Sequence, residues 1–162
     1  MGDSAMQYSK SQTWSLVILQ VAIGWHLLYE GVAKLVVPDW SAEGYLLDSG
    51  GWFAGLFHAL AANSTTLEFV NIVNSWGLAI IGLALVLGLF TRAALIVGMV
   101  FLALYFLSHP PLINVDYALP SEGNYLWVNK TLIELLAMGV LLAFPVSHIV
   151  GLDRLVARRK EN

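Results

Sequence analysis

The chain has 162 residues, 58% of them hydrophobic and 12% charged, with a mean hydropathy of +0.72 and a formal net charge of −3. A soluble domain carries about a quarter of its residues as charges, so lipid is the expected solvent for most of this protein. The absence of cysteine excludes disulfides, thiolate metal sites and thiol redox chemistry within this subunit. The lack of a basic tract interleaved with aromatics removes support for nucleic-acid binding.

Four segments have the length and apolarity of membrane spans, for which about 20 residues are needed. The first, about 14–37, is closed by Pro38-Asp39. It is long, holds His26 and Glu30 and has no small-residue cleavage site before Pro38, so it reads as a retained anchor rather than a signal peptide. The second is about 69–90. The third, about 93–109, is stopped by Pro110-Pro111; it is short for a straight crossing, with a buried or re-entrant helix as the alternative. The fourth is about 125–144 and is followed by Pro145. Gly24 and Gly31 share one face of the first span, and Ala84 with Gly88 form a small-residue pair on the second, both suited to close packing.

Basic residues set the expected orientation. Lys10 precedes the first span, Arg92 occupies the turn after the second, and Arg154, Arg158, Arg159 and Lys160 follow the fourth. The two long connectors contain no Lys or Arg and carry Asp39, Glu43, Asp48, Asp116 and Glu122. The positive-inside rule places both termini and the Arg92 turn in the cytoplasm and the acidic connectors outside. Within the first connector, Trp52, Phe53, Leu56, Phe57 and Leu60 follow Gly50-Gly51 at helical spacing and predict a short interfacial helix. After Pro145, apolar and basic residues predict an amphipathic tail helix. The fold expected is all-α, a single domain over 1–162 built as an integral membrane four-helix bundle.

Ionisable residues interrupt this apolar frame. His26, Glu30 and Lys34 recur at four-residue spacing in the first span, and Lys130 and Glu134 repeat it in the fourth. Such groups cost a few kcal/mol each in hydrocarbon unless paired or wetted, and mark a functional site by default. The expected topology puts them at one depth in the outer half of the bilayer, with Asn71, Asn74 and Ser75 of the second span and His109 at the end of the third. Spacing allows Glu30 to pair with Lys130 and Lys34 with Glu134, or each acid with the lysine on its own helix. His26, Glu30 and Glu134 are the candidates for proton transfer. Lys34 and Lys130 suit an anion or a carbonyl oxygen. Asn71, Asn74, His109 and Asn129 are expected as supporting donors, and Trp25, Tyr29, Trp76, Tyr105 and Trp127 as walls for a flat ring. A metal held by His26, Glu30, His109 and Glu134 is the competing chemistry; the two ammonium groups argue against it. His58 and His148 are expected to be structural.

Three motifs carry a resemblance. GWHLLYEGVAKL (24–35), LGLFTR (87–92) and EGNYLWVNKTLIEL (122–135) resemble, in order and spacing, the DoxX/DoxD family of membrane proteins, over roughly residues 15–144. The resemblance implies a four-helix membrane protein. In the DoxD-like branch it implies the membrane subunit of a thiosulfate:quinone oxidoreductase in a bacterial or archaeal cytoplasmic membrane, working with a separate DoxA-like partner. The expectation is a quinone-linked oxidoreductase subunit whose polar site opens outward. Quinone would be a substrate, and no tightly bound cofactor or resident metal is implied. A non-enzymatic scaffold, or a carrier of a small anion or lipid, are the alternatives. Homo-oligomerisation stays open.

Overall fold

The computed structural model describes residues 8–112, 115–119 and 125–154. Among them the chain is all-helical. Its elements are α1 (Lys10–Val36), α2 (Glu43–Leu47), a short 3₁₀ turn (Gly51–Phe53), α3 (Ala54–Ala62), α4 (Ser64–Leu87), α5 (Thr91–Ser108), α6 (Lys130–Ala143) and α7 (Ser147–Val150). Three helices, α1, α4 and α5, are long and apolar enough to cross a membrane. At 1.5 Å per residue they run about 40, 36 and 27 Å, against about 30 Å of hydrocarbon. The chain is a membrane protein in contact with the lipid bilayer. Large apolar side chains such as Trp14, Ile18, Ile80, Val100 and Leu136 lie exposed on the outer faces of the helices, where acyl chains would cover them.

Local sequence explains the helix ends. Ser9 and Gln12 form a reciprocal capping box that starts α1. Asn63 caps α4 by accepting from Thr66 N at 3.0 Å, and Asn129 caps α6 by accepting from Leu132 N at 2.9 Å. α4 ends at Gly88, whose φ of +62° is the left-handed conformation that terminates helices.

α6 differs from the fourth span expected at 125–144. It begins at Lys130 and has 14 residues, about 21 Å. Tyr125 and Val128 bridge across a tight turn in which Leu126 and Trp127 take φ values of +50° and +73°. Backbone in that conformation cannot continue a helix, so apolarity over 125–128 reports a turn at the bundle end. α5 corrects in the other direction. It starts at Thr91 and reaches 18 residues, longer than the span expected from 93.

α1 and α4 pack antiparallel along most of their lengths, Gln20 lying against Leu85 and Gly31 against Ala79. Contact is backbone to backbone. A Cβ on Gly31 would strike the Ala79 main chain, and one on Gly82 would strike the Leu28 main chain. The small residues that α4 uses are thus Ala79 and Gly82 rather than the Ala84/Gly88 pair; Gly88 serves as the helix stop and lies against Gly151. α5 packs on α4 and, antiparallel, on α6, with Met138 filling the space over Gly98. Ile23, Leu27, Leu78, Leu85, Leu95, Leu102, Met138 and Leu141 form the core.

Each end of the bundle is fastened. At one end α7 packs on the α4–α5 turn, where Asp153 caps α5 by accepting from Phe90 N at 2.7 Å and Thr91 N at 3.1 Å. These N–H groups, with the Ser147 and Thr91 hydroxyls, outweigh partial burial and hold the Asp153 carboxyl below the usual carboxylate range. The expected amphipathic tail is therefore, up to Arg154, a docked segment; Leu155, Val156, Arg158, Arg159 and Lys160 lie outside the described residues, as does Glu122. At the other end α2 and α3 form a second small core from Ala42, Leu46, Phe57 and Ala61. Trp52, Phe53 and Leu56 are exposed. Gly31→Val and Gly82→Val should each lower stability by about 2 kcal/mol or more through overpacking against backbone, while Gly55→Ala, whose Cβ meets open space, should be neutral. Thermal unfolding in detergent checks all three.

Candidate functional site

α1 is the organising element. Its four-residue spacing sets His26, Glu30 and Lys34 along one stripe, and the glycines that bring α4 close leave that stripe facing α5, α6 and the first connector. His26 Nδ1 donates to Glu134 Oε1 at 2.7 Å, joining α1 to α6. The histidine side chain is 32% exposed and the carboxylate 10%, so the pair is reachable from one side. Neither of the cross-helix pairs that spacing allowed includes this contact; Glu134, which spacing let pair with Lys34 or Lys130, sets an oxygen against His26. Lys130 is exposed in the first turn of α6, and its charge and that of Glu30 are within electrostatic reach of the His26 ring.

Lys34 pairs with Glu30 of its own helix, Nζ to Oε2 at 3.6 Å. Its ammonium also stands 5.4 Å from the Trp40 ring centroid and 5.6 Å from that of Tyr105. Both distances fall in the cation–π range. A charge only 17% exposed is thereby met by a carboxylate and two ring faces. Asn74 of α4 donates from Nδ2 to the Tyr105 hydroxyl at 2.7 Å. Asn71 accepts from Ala42 N at 2.8 Å, which fixes α2 to α4.

Beyond this cluster, toward the connectors, a second one gathers around His109. Its ring lies between Tyr45, at 4.0 Å between centroids, and Tyr117, at 4.7 Å. Nδ1 is 3.0 Å from Ser108 Oγ and Nε2 is 3.5 Å from Asp48 Oδ2. Asp48 also accepts from Ala118 N at 2.8 Å and Leu119 N at 3.0 Å. Asp48 thus clasps the first connector to the second. Partial burial pushes its carboxyl up, but the Leu119 and Ala118 N–H groups and His109 outweigh that and hold it below the usual carboxylate range. Burial pushes the Tyr45 hydroxyl up to about 12 despite the Ser108 hydroxyl beside it, so it stays protonated and donates to Tyr105 O at 3.4 Å. Tyr45 and Tyr105 meet edge to face at 5.9 Å, and this contact links the two clusters.

The structure therefore sorts the expected residues. His26 and Glu134 meet directly; Glu30, Lys34, Tyr105 and Asn74 form an adjoining chain of contacts; Asn71 and Asn129 hold backbone. His109 belongs to the connector clasp, apart from Glu134, so the metal shell drawn from both does not assemble. Among the described residues no three His, Asp or Glu side chains gather as metal ligands. Trp25 and Tyr29 do not wall the cluster: they are 63% and 64% exposed on the outer face of α1. Trp76 is likewise exposed, and Trp127 stacks on Trp52 at 5.7 Å. Sequence reasoning missed Trp40, Tyr45, Asp48 and Tyr117, which sit in connectors where periodicity carries no signal. His58 and His148 are exposed.

The chain matches no family model, no curated protein and no solved structure.

The clasp gives a pH dependence. A carboxyl whose folded pKa is lowered stabilises the fold fully above its unfolded value, 3.8 for Asp48, and loses that contribution as pH falls through the folded value. Limited proteolysis of the first connector should be slow at neutral pH and accelerate in acid below the ordinary carboxylate range. Asp48→Asn should be cleaved faster than wild type at neutral pH. Equal cleavage of the two proteins would remove the clasp.

Proposed function

We propose that this chain is the membrane subunit of a quinone-linked oxidoreductase of the DoxX/DoxD type, thiosulfate:quinone oxidoreductase being the nearest reaction. The reading takes α1, α4, α5 and α6 as a four-helix membrane bundle in a bacterial or archaeal cytoplasmic membrane. Lys10, Arg92 and Arg154 lie at one end and the acidic connectors at the other; the first end is cytoplasmic by the positive-inside rule.

The observation that carries the reading is the 2.7 Å contact between His26 on α1 and Glu134 on α6. An imidazole and a carboxylate in hydrogen-bond contact form a proton relay, and this one is partly exposed inside an otherwise apolar frame. Quinone reduction consumes two electrons and two protons. The electrons come from the donor through a separate redox subunit. His26, Glu134 and Glu30 deliver the protons. Lys34 and Lys130 hold the quinone oxygens, with Asn74 and Tyr105 beside them, and Lys34 lends positive charge where the reduced ring accumulates negative charge. Lys34, Tyr105 and Asn74 lie on the connector side of the His26–Glu134 contact, the side from which this reading has a quinone headgroup enter.

One feature favours a second reading, a scaffold. The His26–Glu134 contact also ties α6 to α1, as a registry pair would. The two readings differ in what neutral substitution does. In membranes carrying the chain with its partner subunit, His26→Ala, Glu30→Gln, Glu134→Gln and Lys130→Met should each reduce thiosulfate-dependent reduction of decylubiquinone by about 100-fold, the scale of a lost general acid or base, while the proteins still insert. Full turnover in Glu30→Gln and Lys130→Met would end the oxidoreductase assignment and leave the scaffold.

A further inference from the structure

Asn74 has one end engaged and one end open. Its Nδ2 donates to the Tyr105 hydroxyl, whereas Oδ1 is buried and receives no hydrogen bond from any described residue. Desolvating an amide oxygen without a donor is unfavourable, and apolar side chains of similar shape would avoid it. An asparagine kept here is suited to a donor that arrives from outside the chain. The same Tyr105 ring carries the Lys34 ammonium on its face, and Trp40 flanks that ammonium. An amide from α4 and a cation from α1 therefore meet at one phenol of α5.

The open atom sets the chemistry of what fits. An oxidised quinone presents two carbonyl oxygens and no donor, so it leaves Oδ1 unmet. A hydroquinone presents O–H groups and satisfies it. We propose that Asn74 Oδ1, with Tyr105 and Lys34, forms a subsite that accepts the hydroxyl of a hydroquinone and so favours the reduced over the oxidised ring. This rests on the quinone-linked reading above and adds to it the oxidation state that the site prefers. A neutral hydrogen bond in a buried site is worth about tenfold in affinity. Tenfold tighter binding of the reduced form raises the potential of the bound two-electron couple by about 30 mV, which favours quinone reduction at this site.

The test measures binding of duroquinol and duroquinone, under anaerobic conditions, to the full chain in detergent by quenching of tryptophan fluorescence. Wild type should bind duroquinol about tenfold more tightly than duroquinone. Asn74→Leu should bind the two equally, and Asn74→Asp, which keeps an acceptor, should retain the preference. Gel filtration and circular dichroism establish that the variants fold, and Asn74→Ala replaces the leucine variant if that one does not. Equal binding or a preference for duroquinone in wild type, or a preference that survives loss of the acceptor, overturns the subsite while leaving the quinone-linked function standing. Failure of wild type to bind either ring overturns both.

Discussion

The structure depends on how it meets the cost of ionised groups in a low-dielectric surrounding. A charge at membrane depth must be paired, wetted or moved to the interface. This chain pairs them, and does so on a helix whose position is set by backbone contact. α1 carries His26, Glu30 and Lys34, and the close approach at Gly31 and Gly82 locks its rotation against α4. With rotation fixed, the stripe can only face α6 and the connector end. The His26–Glu134 and Glu30–Lys34 contacts follow from that constraint. So does the seating of the Lys34 ammonium on the Trp40 and Tyr105 rings.

The two polar clusters divide the labour at this end. The inner one holds the titratable groups between helices. The outer one, around Asp48 and His109, joins the two long connectors. Tyr45 belongs to both, through its ring contact with His109 and its contacts with Tyr105. The first connector is consequently an ordered part of the bundle, anchored by Asp48 at one point and by Asn71 at another.

Much of this was legible in the sequence because helical periodicity is strong. The three long helices, the short helix after Trp52 and the four-residue stripe of charges follow from apolar runs and spacing. The start of α6 did not, because apolarity is the same for a helix and for a turn built from Tyr125, Leu126, Trp127 and Val128. The deciding signal was Asn129, an N-cap residue followed by helix formers. The partner of Glu134 was hidden for a different reason. Spacing within a helix says which residues share a face but not the axial offset between α1 and α6, and that offset selects His26. Trp25 and Tyr29 show the opposite limit: being near the stripe in sequence, they lie one helical step around it, on the lipid face.

The bundle joins are unequal in stiffness. Between α1 and α4 the contact is main chain on main chain, where displacement meets hard repulsion at once. Between α5 and α6 it is made by the Met138 thioether over Gly98, an unbranched chain that can change rotamer at little cost. Shear applied to the molecule is therefore absorbed on the α6 side, leaving α1 and α4 to behave as a rigid strut.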